Sequence, residues 1–296
     1  MDKVKVLIDT DIGDDIDDAL ALALALNSPE LDIVGITTVY GKTDVRARLA
    51  AKILEIYGRD DIPVAIGSSK PLVNPEPKYF PRQALAVDKH FFPNIVEENA
   101  VDFILETVSK YRELTIIMIG PETNLAKALL MKPKIFNNIK IVMMAGYVSQ
   151  PFPEYNVKCD PEATSIILSK NFPKILVGLD VTLKCSMNKN MVKEFRRSRH
   201  KGVKFLSKLI DIWMSYSNHF PILHDPLAIA VSFDRSIVEL KPMYLEVELE
   251  NPSNRGIIYL VSNREPNIDV SINVDVNRFM NMFRNRVLGK FIEYSH

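Results

Sequence analysis

Cysteine is nearly absent from this 296-residue chain, which holds only Cys159 and Cys185. Neither stands with a histidine at zinc-ligand spacing, so free structural thiols are expected in place of a disulfide framework or a zinc site. Tryptophan occurs once, at Trp213. Excess charge is also missing: 37 basic and 37 acidic side chains give a formal net charge of zero. That balance leaves no electrostatic footprint for nucleic acid or an anionic membrane. No long uncharged apolar run of membrane-spanning length is found, and the charged Lys3–Asp18 region speaks against a signal peptide, so a cytoplasmic protein is expected. Linker-like Pro/Gly/Ser stretches, internal repeats and low-complexity tracts are absent too. With 47% hydrophobic residues, the chain can bury a full core, and one α/β domain spanning 1–296 is expected.

What is present is concentrated charge near the N-terminus. The run Val4-Lys5-Val6-Leu7-Ile8 leads into Asp9-Thr10-Asp11-Ile12-Gly13-Asp14-Asp15-Ile16-Asp17-Asp18, six aspartates around one glycine, followed by an uncharged Ala/Leu run. Helix capping and the helix dipole explain one or two aspartates at such a junction. They do not explain Asp9 and Asp11 alternating at a strand's carboxyl end together with Asp17 and Asp18 in the next element. Neighbouring carboxylates repel, so this density calls for a cation among them. Oxygen-only ligands on a strand-to-helix turn favour calcium or magnesium over zinc.

The rest of the chain alternates strand and helix. The β-branched run 4–8 reads as a strand buried on both faces, and 19–26 as a helix closed by Asn27-Ser28-Pro29. Strands are expected at 31–39, 63–67, 114–119, 139–144 and 174–179, with helices at 43–57 and 100–111, after Thr123 and after Asp160-Pro161. Residues 70–93, rich in proline and aromatics, read as a surface excursion near a site mouth. The stretch 187–220 reads as helical, with its basic clusters solvated. An antiparallel hairpin is expected from 244–250 and 256–261, then a strand at 268–274 and a C-terminal helix from Val276. This rhythm predicts an α/β fold: an open, mostly parallel Rossmann-like sheet flanked by helices, with a small antiparallel extension near the C-terminus. Ligands of such sheets bind at the carboxyl ends of the strands, where Asp9–Asp18, Ile119-Gly120, Asp180 and His224-Asp225 are expected to meet. Trp213 and Tyr216, one helical turn apart, read as core packing rather than base stacking.

The ordered motifs resemble the nucleoside hydrolase family, the calcium-dependent inosine-uridine preferring N-ribohydrolases. They are Asp9-Thr10-Asp11-Ile12-Gly13 with Asp17-Asp18-Ala19, Ile36-Thr37-Thr38-Val39 with Gly41, Ile119-Gly120-Pro121-Glu122-Thr123-Asn124, Glu154-Tyr155-Asn156 with Asp160-Pro161-Glu162-Ala163, Leu179-Asp180-Val181-Thr182, His224-Asp225-Pro226, and Val276-Asn277-Arg278-Phe279. The resemblance implies hydrolysis of the N-glycosidic bond of ribonucleosides to ribose and free base, in salvage, by a homo-oligomer such as a dimer or tetramer. It implies calcium ligation by Asp11, Asp18, Asp225 and the carbonyl of Ile119, with Asp11 also taking the proton of the attacking water. Asp17, Glu154 and Asn156 would hold the ribose hydroxyls, and His224 would lie beside the base and assist its departure. Two extra residues separate Gly13 from Asp17-Asp18, so Asp15 stands as an alternative ligand. Lys42 replaces the asparagine common after Thr-Thr-Val-x-Gly, and no His-Gly pair follows the third strand.

The chemistry fits those residues on its own terms. An oxocarbenium-like transition state needs an activated water, negative charge near the sugar and a grip on its hydroxyls. A single tryptophan leaves no indole sandwich for a purine, so pyrimidine nucleosides (uridine, cytidine), with inosine beside them, are the expected substrates. The alternatives are a magnesium-dependent phosphohydrolase of the haloacid dehalogenase type, which Ile12-Gly13 and His224-Asp225-Pro226 fit poorly, and a non-catalytic ribose-binding module.

Overall fold

The computed structural model describes residues 3–88 and 90–289. Of the expected range 1–296, residues 1, 2, 89 and 290–296 lie outside the described residues. The first half runs β1 (Val4–Thr10), α1 (Asp17–Leu26), β2 (Leu31–Thr38), α2 (Thr43–Ile56), β3 (Val64–Ile66), β4 (Ile95–Asn99), α3 (Ala100–Lys110), β5 (Leu114–Met118), α4 (Thr123–Met131) and β6 (Ile139–Met143). Next come α5 (Tyr155–Cys159), α6 (Pro161–Leu168), β7 (Lys174–Leu176), α7 (Leu179–Thr182), α8 (Lys189–Arg197), α9 (Lys201–Met214) and α10 (His224–Phe233). The chain then passes through β8 (Val238–Met243), β9 (Leu245–Val247), β10 (Ile258–Leu260), β11 (Ile268–Val274) and α11 (Val276–Val287).

Nine strands form one sheet in the order β4-β3-β2-β1-β5-β6-β7-β11-β8. Every neighbouring pair is parallel except β11 with β8. The expected antiparallel hairpin is present as the separate pair β9–β10. Successive residues of the central strands face opposite layers: Val6 and Ile8 join one apolar cluster and Leu7 the other, the pattern of a strand covered on both sides. All of α1 except Leu26 is buried. A helix apolar all round cannot lie at the surface, and α1 is sandwiched between the sheet and α10, α11 and α9.

The chain proceeds outward from β1 through β2, β3 and β4, then returns to the other side of β1 with β5. The strand order therefore reverses between β1 and β5, whose ends pair at Asp9 and Met118. A crevice at the carboxyl ends follows from that reversal.

Several expectations need correction. The edge strands β4 and β8 were not anticipated: β4 (Ile-Val-Glu-Glu-Asn) carries little apolar pattern, and β8 contains Pro242. The strand expected at 174–179 ends at Leu176, and the Leu179–Thr182 motif forms the helical turn α7 after Gly178. The stretch 187–220 is two helices, because His200 caps a new start by accepting the Gly202 N–H. Residues 155–159, for which no element was expected, form a short helix capped by Glu154.

Candidate active site and metal centre

The turn after β1 is shaped by Gly13, whose φ of 125° is a backbone state L side chains rarely adopt, and a Cβ there would meet Pro81 Cβ at 2.7 Å. Beyond it, α1 opens with Asp17 and Asp18, and α10 carries Asp225 in its first turn. Helix starts favour carboxylates, but these three are buried and converge. One oxygen from each of Asp17, Asp18 and Asp225 lies within 4.8 Å of the others. The Asp225 N–H donates to Asp17 Oδ2 at 3.3 Å, and the Thr10 hydroxyl donates to Asp18 Oδ1. Asp11 borders the same cavity but is not one of the three. Its carboxylate lies against Gly120, where a Cβ would stand 2.9 Å from Asp11 Oδ1. A glycine is thus required for β1 and the β5 turn to approach this closely, and Ile119 borders the cavity beside it.

Burial pushes the carboxyls of Asp17, Asp18 and Asp225 well above the usual range, and repulsion from neighbouring carboxylates pushes in the same direction: Asp15 and Asp11 on Asp17, Asp11 and Asp17 on Asp18, and Asp17, Asp18, Asp11 and Asp15 on Asp225. Among the described residues no lysine or arginine forms an ion pair with any of them. The adjacent cation, Arg46, is committed elsewhere. Fully buried, it donates from Nε to the Tyr40 carbonyl at 2.7 Å, from NH1 to the carbonyls of Asp11 and Ile12, and from NH2 to Asp14 Oδ2 at 2.6 Å. Asp11 is lifted to about 7 by burial, against the pull of Arg46. Oxygen-only donors that repel one another and lack a bonded cation fit a hard divalent metal ion. Asp17, Asp18 and Asp225 could hold one.

The cavity above them measures about 500 Å³, ample for a nucleoside-sized ligand. Glu154 and Asn156 stand on its wall. The Glu154 carboxylate caps α5, accepting the N–H groups of Asn156 (2.9 Å), Val157 (3.2 Å) and Gly146 (3.1 Å), and Asn156 Nδ2 donates to the Met144 carbonyl at 3.0 Å. His224 also borders the cavity, its Nδ1 2.7 Å from the Thr182 hydroxyl. Burial, with a smaller push from His219, takes its imidazole down to about 4, so the ring is neutral at pH 7. If Thr182 donates to Nδ1, the hydrogen resides on Nε2.

All the expected site residues, namely Asp11, Asp17, Asp18, Ile119, Glu154, Asn156, His224 and Asp225, border this one cavity. Asp180 does not. Its carboxylate accepts the N–H groups of Val148 and Ser149, fixing the loop after β6, and Thr182 is the residue of that motif that reaches the site. Asp9 ties β1 to its neighbours, accepting from Thr37 and from Asn124 at 2.8 Å. The core reading holds for Trp213, which is 3% exposed while also contributing to the cavity wall. It fails for Tyr216, which is 37% exposed and borders the cavity because α9 ends at Met214 before reaching it. Arg46, Tyr79, Tyr155 and Phe152 were not anticipated. An arginine in a helix with basic neighbours reads as solvated, and Tyr79 belongs to a stretch without period.

Residues 6–281 match the family model described as inosine-uridine preferring nucleoside hydrolase. The probable uridine nucleosidase 2 of Arabidopsis thaliana is 30% identical, the match covering 97% of this chain and 98% of that protein. The pyrimidine-specific ribonucleoside hydrolase RihA of Citrobacter koseri is 29% identical, covering 95% and 97%. Among solved structures, a purine-preferring ribonucleoside hydrolase from Gardnerella vaginalis superposes with a TM-score of 0.86 at 31% identity, covering 96% of this chain and 98% of that one. The plant nucleoside hydrolase PpNRh1 gives 0.86 at 26% identity, covering 96% and 99%.

Proposed function

The chain belongs to the inosine-uridine preferring nucleoside hydrolase family, and on that premise we propose that it hydrolyses pyrimidine ribonucleosides, uridine and cytidine foremost, to ribose and the free base. Membership removes the phosphohydrolase and ribose-binding alternatives. The observation that carries the site assignment is the buried trio Asp17, Asp18 and Asp225 at the floor of the cavity. Pyrimidine preference rests on the names of the uridine nucleosidase and RihA relatives and on the single tryptophan.

In this proposal calcium is held by Asp11, Asp18, Asp225 and the Ile119 carbonyl, with Asp17 close enough to share it, and when bound it lowers the pKa of water for attack. Asp11, which borders the cavity beside Ile119, accepts the proton of the attacking water. Glu154 and Asn156, both immobilised by backbone bonds, grip the ribose hydroxyls together with Asp17. His224 donates from its second ring nitrogen to the departing base, steadied by Thr182. We further propose that 1–296 forms one domain working in the cytoplasm as a homo-oligomer in nucleoside salvage. No helix among the described residues is long and apolar enough to cross a membrane.

The test is incubation of the purified chain with uridine, cytidine, inosine and adenosine, with and without chelator, following free base and reducing sugar. Pyrimidines should lead purines in kcat/KM by about tenfold or more, the discrimination a shaped pocket supplies, and chelation should abolish turnover. Purines leading, as the name of the Gardnerella vaginalis enzyme suggests for that protein, would overturn the base preference alone. Turnover that survives rigorous metal removal overturns the calcium assignment.

A further inference from the structure

The two residues that lengthen the turn after Gly13 place a carboxylate in the cavity that the reading above leaves without a task. Asp15 borders the cavity but is not part of the Asp17, Asp18 and Asp225 group. Its Oδ1 accepts the N–H of Ile16 at 2.6 Å, and no lysine or arginine among the described residues forms an ion pair with it. Its main chain is fastened from two sides. Gln83 Nε2 donates to the carbonyls of Asp14 (3.2 Å) and Asp15 (2.6 Å), the Gln83 N–H donates to the Gly13 carbonyl at 3.1 Å, and the Tyr216 hydroxyl donates to the Asp14 carbonyl at 2.7 Å. A carboxylate immobilised in this way is preorganised for a ligand donor, because its main chain does not have to be ordered when the ligand arrives.

The fastening also locates it. Tyr216 joins the turn to the segment after α9 through the Asp14 carbonyl. The Asp15 carboxyl lies within electrostatic reach of His219, whose ring packs edge-on against Trp213 at 5.1 Å, so Asp15 lies toward the Trp213 and Tyr216 side of the cavity. On the proposed reading the ribose occupies the Glu154 and Asn156 side and the base this one. We infer that Asp15 is a specificity-determining residue that accepts a hydrogen bond from an N–H on the edge of the nucleobase, the imide N–H of uracil or the exocyclic amino group of cytosine. The inference rests on the nucleoside hydrolase reading and deepens it.

Asp15 Oδ1 holds the Ile16 amide, and in the inferred complex the other oxygen accepts the N–H of the base. In Asp15→Asn the amide oxygen keeps the Ile16 bond, and the NH2 group then meets the donor of the base. Asp15→Ala simply removes the acceptor. The experiment compares uridine with p-nitrophenyl β-D-ribofuranoside, whose leaving group offers no N–H, and titrates calcium into each variant. The ratio of kcat/KM for uridine to that for the nitrophenyl riboside should fall about tenfold or more in both variants, chiefly through the KM of uridine, as expected for loss of a hydrogen bond to a charged group. If Asp15→Ala does not fold, Asp15→Asn carries the comparison. A ratio that stays constant overturns the inference, whether both activities fall with calcium affinity, which makes Asp15 a metal-site residue, or neither falls. Absence of uridine and cytidine turnover in the unsubstituted chain overturns the reading itself, and the inference with it.

Discussion

Asp225 lies 208 residues from Asp17, yet its backbone N–H donates to the Asp17 carboxylate and its own carboxyl joins Asp17 and Asp18. Three like charges held together out of water oppose folding when no cation is bound, and the raised carboxyl pKa values express that opposition. In the unfolded chain these groups ionise near pH 4, whereas the folded chain retains their protons to higher pH. The folded state therefore binds more protons above that point, and metal-free stability declines as pH rises. Asp225→Asn removes one of the charges while keeping the side chain's shape. The metal-free variant is expected to exceed the parent by roughly 1–2 kcal/mol at pH 8, with a smaller difference at pH 5 and calcium affinity reduced tenfold or more. Thermal melts in chelator at the two pH values, with calcorimetric calcium titration, check it. A variant less stable than the parent at pH 8 would contradict the repulsion argument.

Elements differ in how openly the sequence announces them, and the reason is their environment. Strands β1, β2, β5 and β6 lie inside the sheet, so near-continuous apolar runs reveal them; β4 and β8 are its edges and can afford charge and proline. The carboxylates of the site were legible because their density is anomalous for any solvated turn. Arg46 was not, since only the tertiary structure shows that α2 turns it under the Asp11 turn. The start of α4 shows how one element can be pH-sensitive away from the cavity. Glu122 precedes Thr123 and is fully buried, with Oε2 accepting from Thr164 Oγ1 at 2.7 Å and Oε1 without a hydrogen-bond partner among the described residues. Burial pushes its carboxyl up to about 8. Between its ordinary value near 4.5 and about 8 the unfolded chain has lost this proton and the folded chain has not, so stability declines across that window as pH rises. Glu122→Gln is neutral throughout and retains an acceptor for Thr164. It is expected to gain roughly 1–3 kcal/mol over the parent at pH 8 and nothing at pH 4. Urea unfolding across pH 4–8 tests this, and parallel curves for the two proteins would refute it.

At the scale of the whole molecule, the reversal of strand order beside β1 brings together residues that the sequence scatters from Asp11 to Asp225. The trio spans α1 and α10, which pack against each other across the same face of the sheet. A cation held there binds the folded chain and has no comparable site in the unfolded one, so its binding free energy adds to global stability. At a free concentration a hundred times the dissociation constant that addition is about 2.7 kcal/mol. For a chain of this size it corresponds to a rise in Tm of about 4–8 °C. The melting temperature should accordingly climb with calcium concentration, fall to its base value in chelator, and respond weakly in Asp225→Asn. That last arm separates binding at the trio from general salt effects, because the surface acidic groups remain in the variant. Equal shifts in parent and variant would place the cation elsewhere, and identical melts in calcium and chelator would show that these carboxylates meet their repulsion by holding protons instead.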